Sequence, residues 1–202
     1  MKIFRNGLLT GLVLQLAIGP IFFYIINLTL QKTVWDGLAG GLAAMTVDYF
    51  YITLSVLGIG KLLEKERFKK IFGLISSIVL MAFGIFLIKE VGANMDATPA
   101  VSASLFSSYI SVFLLTISSP LTIVVFTSIF TARAVEYGYT KKELYTFGLG
   151  TGLATIIFMG SSVILFSFIK EAVPVLLIHL LNLLVGILLI GYGGFRLWKI
   201  LK

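Results

Sequence analysis

The sequence lacks cysteine altogether, and it contains a single histidine and few charged residues. Without cysteine, the chain can form neither a disulfide nor a thiolate metal site nor a thiol–disulfide relay. One histidine, His179, argues against a histidine-built metal centre, so we expect no metal and no cofactor. Charged residues make up 12% of the 202 residues and hydrophobic residues 58%, whereas a soluble domain usually has about a quarter charged residues. The composition therefore predicts that lipid is the solvent.

Six apolar segments are long enough to cross a bilayer. A hydrocarbon core about 30 Å thick needs about 20 apolar residues per helix, and Asp48 is the only Asp, Glu, Lys or Arg inside any of the six. We therefore predict an all-α membrane protein with six transmembrane helices. The predicted spans are residues 7–30, 37–59, 71–88, 104–132, 144–169 and 175–195. The first run is longer than the apolar region of a secretory signal, about 7–15 residues, so we interpret it as a retained helix.

The basic residues are distributed unevenly between the two ends of these spans. Of the 16 Lys and Arg, 13 lie at the termini and in the second and fourth loops, and three (Lys32, Lys89 and Lys170) lie in the other loops. The positive-inside rule then places both termini in the cytoplasm. The same distribution accounts for the net charge of +7 without a nucleic-acid partner.

The chain contains an internal repeat. Residues 37–43 read GLAGGLA and residues 148–154 read GLGTGLA, which agree at five of seven positions. Each contains G-x-x-x-G, a spacing that lets membrane helices approach closely, so we interpret Gly37, Gly41, Gly148 and Gly152 as helix-packing residues.

Three spans in each half must enter the membrane from opposite sides. We therefore predict two inverted three-helix repeats, residues 1–95 and 96–202. This arrangement is typical of secondary transporters whose site lies near the bilayer midplane.

Two prolines lie at equivalent places in the two halves, Pro20 in AIGP and Pro120 in ISSP. Proline inside a helix removes a backbone donor and clashes with the carbonyl four residues back, and the freed carbonyls need other partners in lipid. We predict that both helices break here and present carbonyls to a substrate, with simple kinking as the alternative. Ser118 and Ser119 are local candidates to satisfy those carbonyls.

Asp48 is the sharpest candidate for a functional residue. A charge at the bilayer centre costs about 2.5–3.5 kcal/mol on insertion scales, so such residues face the bundle interior. The spans contain no Lys or Arg with which Asp48 could pair. We predict that Asp48 holds the ammonium of a substrate, carries a proton, or does both, the alternative being a structural aspartate.

Other polar residues within the spans are secondary candidates. Gln15 and Asn27 could line the same cavity as Asp48, while Tyr49 and Tyr51 flank the acid and cannot both point toward it. No enzyme is indicated, because an aspartic intramembrane protease needs a second carboxylate and no G-x-S-x-G serine motif occurs.

These residues resemble those of the lysine exporter (LysE/RhtB) family of bacterial amino-acid efflux proteins. The resemblance covers essentially the whole chain and rests on Gly19–Pro20, on GLAGGLAAMTVD ending at Asp48, on Ser119–Pro120, and on the terminal GILLIGYGGFRLWK. It implies six helices in two inverted repeats, export driven by the proton-motive force, and a location in a prokaryotic plasma membrane. The family commonly has Asn-Pro-Lys where this chain has Ser119-Pro120-Leu121, so no particular substrate is implied.

The leading hypothesis is therefore an exporter of amino acids or related metabolites, coupled to protons, with a midplane site between the two broken helices and Asp48. The alternatives are an inorganic cation exporter and a membrane assembly subunit without transport activity. A single chain and a homodimer are both compatible with the sequence.

Overall fold

A computed structural model describes residues 1–58, 66–93 and 104–201 of the chain. Within these residues the regular elements are eight α-helices and one short 3-10 turn at Lys170–Ala172. The helices are α1 Lys2–Gln15, α2 Pro20–Gln31, α3 Val34–Val56, α4 Glu66–Ala93, α5 Leu105–Ile117, α6 Pro120–Glu136, α7 Lys141–Phe168 and α8 Val175–Leu201. The predicted boundary between the two halves, at residues 95–96, lies outside the described residues.

Both predicted breaks occur, and each places a proline at the first position of the following helix. Proline is favoured there because its fixed φ suits the helix and its missing N–H would have had no partner anyway. Helix α1 ends at Gln15, four residues before Gly19 caps α2, and the two axes differ by 82°. Helix α5 and residues 122–136 of α6 differ by 63°.

The described part of the chain contains two helices that are long and apolar enough to cross a membrane, α7 and α8. The number rises to four if the bent pairs α1–α2 and α5–α6 each form one span. These four correspond to the predicted spans 7–30, 104–132, 144–169 and 175–195. The predicted span 37–59 overlaps α3, which ends at Val56, and its residue 59 lies outside the described residues. The predicted span 71–88 lies on α4. Within the described part of the chain, neither α3 nor α4 is both long and apolar enough to be counted with these four. Helix α4 contributes the shorter apolar helical segment Gly73–Lys89.

Two clusters of buried apolar side chains form the core. The α2 cluster centres on α2 and takes residues from α3, α4, α5, α7 and α8, among them Ile25, Ala44, Val112 and Val163. The α6 cluster joins α6 to α3 and α7, and consists of Val47, Tyr51, Ile52, Val56, Ile123, Phe126, Phe130, Leu144 and Phe147. The two clusters meet near the middle of α3 and α7.

The packing of helices links the two halves. Helix α1 packs along α7 of the other half, α5 packs along α3, α3 crosses α7, and α4 pairs with α8. The α1–α7 contact is close enough to need glycine: a Cβ on Gly11 would lie 2.6 Å from the carbonyl oxygen of Thr151, and one on Gly150 would lie 2.7 Å from the amide nitrogen of Leu8. Gly7 and Gly11 also have the G-x-x-x-G spacing, but they were not among the glycines predicted to pack helices.

The four glycines predicted to pack helices are all buried. Gly37 faces Thr29 and Val163, and Gly41 faces Ile156 and Met159. On α7, a Cβ on Gly148 would lie 2.5 Å from Ile52, while Gly152 lies under the ring of Tyr49. These glycines therefore lie where α2, α3 and α7 approach one another.

Candidate functional site

Three polar side chains from three helices form a hydrogen-bonded chain between the two apolar clusters. The amide Nε2 of Gln15, the last residue of α1, donates to Thr155 Oγ1 on α7 at 2.7 Å. Thr155 Oγ1 donates to Asp48 Oδ2 on α3 at 2.6 Å. Asp48 and Thr155 are 6% and 2% exposed. We call Gln15, Thr155 and Asp48 the polar chain; it joins the predicted acid to the helix that ends at the first break.

The hydroxyl of Thr155 departs from the usual behaviour of a threonine in a helix. Such a hydroxyl commonly bonds to the carbonyl four residues back, as Thr151 does with Phe147 O at 3.0 Å. Thr155 points instead to the carboxylate on α3. Sequence interpretation missed Thr155 because threonine rarely signals a site by itself and its partner lies 107 residues away.

Asp48 keeps one carboxylate oxygen available. Among the described residues, Oδ1 accepts no hydrogen bond, and no Lys or Arg of that part of the chain forms an ion pair with the acid. A carboxylate is an acceptor with about four lone-pair sites, and an opposite charge is attracted strongly where the dielectric constant is low. Oδ1 is therefore an unoccupied acceptor for a cation or a hydrogen-bond donor.

The first break lies next to the polar chain. The residues between α1 and α2 form short turns, in which the amides of Leu16, Ala17 and Ile18 donate to carbonyls two or three residues back. A Cβ on Gly19 would meet nothing within 4 Å, and Leu16 and Ile18 are exposed. The backbone at Gly19 and Pro20 thus borders open space, and Gln15 connects it to Asp48.

Carbonyls at the second break accept hydrogen bonds both from α3 and from the neighbouring serines. The amide of Ser119 donates to Thr116 O at 3.0 Å, the carbonyl four residues before Pro120. The hydroxyl of Tyr51 donates to Ile117 O at 2.6 Å, where α5 ends. Ser118 donates to Leu114 O, which also accepts the amide of Ser118, and Ser119 accepts from Thr122 at 3.2 Å. Both serines therefore donate to carbonyls near the break, as expected, and Tyr51 adds a donor to Ile117 O that was not predicted.

Asp48 and Tyr51 lie about one turn apart on α3, so this helix contacts both breaks. Through the polar chain, α3 is joined to α1 before the first break; through Tyr51, it is joined to α5 before the second. Tyr49 points elsewhere and donates to Leu149 O at 3.0 Å. The expectation that only one tyrosine could face the acid agrees with these contacts, although neither hydroxyl bonds to Asp48.

Asn27 belongs to a separate group of amides and not to the polar chain. Its Nδ2 donates to Asn182 Oδ1 on α8, and Gln31 Nε2 donates to both Asn27 Oδ1 at 2.7 Å and Asn182 Oδ1 at 2.9 Å. Asn27 and Asn182 are buried. These bonds fix α2 against α8. His179 lies one turn before Asn182 on α8 and is partly buried.

A further polar cluster at the start of α3 was not anticipated from the sequence. Asp36, which precedes the predicted span 37–59, accepts from Ser108 at 2.6 Å and from the Thr33 hydroxyl at 2.6 Å, and Lys32 Nζ donates to Ser108 at 3.3 Å. Burial alone would raise the pKa of Asp36, but the bonds from Ser108 and Thr33 and the charge of Lys32 outweigh it, so the pKa of this carboxyl lies below its ordinary value.

The described residues contain no group of three or more His, Cys, Asp or Glu side chains that could hold a metal ion. Apolar helices that break at two prolines, next to a buried carboxylate without a charged partner, are the elements of a secondary membrane transporter.

Comparison with known proteins agrees with this class. The family model for LysE type translocators matches residues 12–199, and the chain belongs to this family. The resemblance inferred from the sequence is therefore confirmed. The chain is 27% identical over 158 residues to the protein named "Putative amino acid efflux protein YcgF" of Bacillus subtilis (strain 168), and the match covers 76% of each chain. No solved structure matches the chain.

Proposed function

We propose that the protein exports amino acids or related small metabolites across the plasma membrane of a prokaryote, coupled to protons, with both termini in the cytoplasm. Membership of the LysE translocator family and a relative named as an amino acid efflux protein support the class of activity. The observation that carries the site is the polar chain, in which a buried carboxylate has one bonded and one free oxygen.

The proposed architecture is six spans in two inverted repeats. The packing of the first helix of each half against the other half supports this architecture, because α1 packs on α7 in the same way that α5 packs on α3. A pseudo-two-fold axis would relate these two pairs, and the contacts of α3 with α7 and of α4 with α8 would lie on it. Equivalent prolines at the start of α2 and α6 fit the same relation.

At the site, Asp48 Oδ1 accepts either the ammonium group of the substrate or a proton. No cationic side chain of the described residues neutralises this carboxylate, so a bound cation is retained until another replaces it. Competition between substrate ammonium and proton at one oxygen exchanges one for the other. The backbone at Gly19–Pro20 and at Ser118–Ser119–Pro120 supplies polar groups on either side.

The test is efflux of labelled amino acids from loaded proteoliposomes under an imposed pH gradient. We expect flux of at least one amino acid from a broad panel, and a loss of about tenfold or more in Asp48→Asn, because removing a buried charged partner costs several kcal/mol. Glu143→Gln, which changes an exposed carboxyl at the start of α7, is the matched control and should transport normally.

Absence of flux for every amino acid would overturn the proposed activity. Flux of a metal cation in place of amino acids would favour the inorganic cation exporter. Normal transport and an unchanged pH dependence in Asp48→Asn would remove this residue from the mechanism.

A further inference from the structure

Thr155 occupies the middle of the polar chain and has a single hydroxyl proton. Its neighbour Gln15 Nε2 can only donate, so Thr155 Oγ1 accepts from Gln15 and must give its own proton to Asp48 Oδ2. The directions of both bonds are therefore fixed while Gln15 stays in this orientation. Both hydrogen bonds of the polar chain can form only if Oδ2 of Asp48 carries no proton.

The strength of the bond from Thr155 depends on the charge of Asp48. A hydrogen bond to an ionised carboxylate is roughly twice as strong as one to a neutral acceptor. When a proton or a substrate ammonium reaches Oδ1, the charge on Oδ2 falls and the bond from Thr155 weakens. Gln15 then loses part of the contact that holds the last turn of α1.

We propose that Thr155 is a positioning residue that ties the end of α1 to the ionised Asp48, so that neutralising Asp48 releases the first break. This inference rests on the proposed function, because it explains how loading of the site changes the backbone at Leu16–Gly19. The polar chain is thereby a coupling device, and the displaced element is the segment that borders open space at Gly19.

The side chain at position 155 must carry a hydroxyl for this role. Serine has the same hydroxyl and should support the coupling, whereas valine has the shape of threonine without the donor. Thr151 offers a matched control: it is buried on the same helix, one turn away, and its hydroxyl bonds to the carbonyls of Phe147 and Gly7 and not to a carboxylate.

Few other groups near Asp48 can respond to pH. Tyr51 interacts electrostatically with Asp48 and with Arg196 of α8. The phenols Tyr49 on α3, Tyr24 on α2 and Tyr109 on α5 lie on α3 itself or on helices that pack against it. In model compounds neither a phenol nor a guanidinium changes charge between about pH 5 and 8. His179 lies on α8, which packs against α2 and α4, and His179→Gln in the test background removes its contribution.

The experiment uses the absence of cysteine from the chain. A nitroxide spin label on Ala17→Cys, an exposed position in the first break, reports the mobility of the segment in lipid nanodiscs at about pH 8 and pH 5. We expect the ratio of mobile to immobilised label to rise about fivefold on acidification, the factor by which a weaker acceptor shifts such an equilibrium. Saturating amino acid at pH 8 should have the same effect.

The variants then separate the coupling from a general structural role. Thr155→Val, Gln15→Met and Asp48→Asn should be mobile at both pH values, while Thr155→Ser and Thr151→Val should respond like the parent. A pH response that persists in Thr155→Val, or one that is lost equally in Thr151→Val, would overturn the inference. If Thr155→Ser is monodisperse and keeps normal coupling, position 155 tolerates substitution and the loss in Thr155→Val is due to the missing hydroxyl.

The spin-label experiment and the flux assay test the coupling and the transport activity separately. If the parent exports amino acids but its label does not respond to pH or substrate, the coupling is wrong and the transport activity stands. If the label responds through Thr155 but no amino acid moves, the coupling stands and the proposed substrate class is wrong.

Discussion

The two helices that begin at the prolines of the breaks, α2 and α6, differ in their surroundings. Eight of the twelve residues of α2 are buried, and α2 contacts α3, α5, α7 and α8. On α6, four described side chains are buried, Ile123, Phe126, Thr127 and Phe130, and this helix packs mainly against α3. A proline at the first position of a helix therefore does not determine how deeply that helix is buried.

The polar groups of the two helices differ in the same way. On α2, Asn27 and Gln31 are bonded to each other and to Asn182, whereas Ser128 on α6 is exposed and bonds only within its own helix. Regions with few buried contacts open locally at lower free energy than the core. We therefore expect α2 to be the fixed member of the pair and α6 the more mobile one.

The largest expected difference comes from truncating one isoleucine on each helix. Ile25→Ala on α2 removes a side chain with 0% exposure and should lower the free energy of unfolding by about 2–5 kcal/mol, through lost contacts and the remaining cavity. Ile129→Ala on the partly buried side of α6 is the matched change and should cost less than half as much. Unfolding in detergent micelles measures both, and equal losses would show that α6 is packed as firmly as α2.

Removing an amide from α2 should have the next largest effect. Asn27→Leu removes the bond to Asn182 and the bond from Gln31, which leaves the bond between Gln31 and Asn182 as the remaining one of the three. At about 0.5–1.5 kcal/mol for each hydrogen bond, we expect a loss of about 1–3 kcal/mol. Ser128→Ala on α6 should be close to neutral. The double variant Asn27→Leu/Asn182→Leu should recover part of the loss; a strictly additive double variant would contradict a direct interaction.

The starts of α3 and α7 provide a smaller contrast that depends on pH. Both helices begin with a threonine cap and an acid three residues later, Thr33 with Asp36 and Thr140 with Glu143, but Asp36 is buried and Glu143 is partly exposed. Since the pKa of folded Asp36 is below its ordinary value, its stabilisation is present above about pH 4 and is lost as the pH falls through the lowered pKa.

Unfolding measured between about pH 3 and 7 should therefore show a steeper loss of stability on acidification in the parent than in Asp36→Asn. Hydrogen bonds to a charged group contribute about 1.5–3 kcal/mol, of which the amide retains a part. Glu143→Gln should leave the pH profile nearly unchanged, and an equal effect of the two substitutions would contradict the difference in burial.

The smallest expected effect concerns the link between α3 and the second break. Tyr51→Phe leaves the carbonyl of Ile117 without the tyrosine donor and should cost about 1 kcal/mol. Tyr49→Phe, whose hydroxyl bonds to Leu149 O at a more exposed position, is the control and should cost less. A change of spin-label mobility near Ser119 in Tyr51→Phe alone would locate the effect at this break.

The features that could be predicted from the sequence are those whose chemistry is local. Proline removes a backbone donor and clashes with the carbonyl four residues back whichever residues surround it, so a kink or a break at Pro20 and Pro120 could be predicted from two residues. The cost of a charge in lipid likewise predicted that Asp48 would face protein. The number of membrane-spanning helices was harder to predict, because the polar residues and glycines of α3 lower the mean hydropathy of that helix.

The contacts between distant residues could not be predicted in the same way. Thr155 meets Asp48, and Tyr51 meets the carbonyl of Ile117, only because α3 and its neighbours cross at particular heights. Ser118 and Ser119 were predictable donors at that break by proximity in sequence, whereas Tyr51, 66 residues from Ile117, was not. The close packing at the glycines of α1 could have been predicted, since Gly7 and Gly11 show the same spacing as Gly37 and Gly41.

The packing of α1 on α7 also sets an order of events during biosynthesis. The carbonyl of Gly7 meets the hydroxyl of Thr151, 144 residues later in the chain, so the ribosome must make most of the protein before α1 can reach its partner. Until α7 has been synthesised, the glycine-lined face of α1 lies in the bilayer or at the insertion machinery without its partner helix. We expect truncation before α7 to leave an N-terminal segment that membrane quality control degrades.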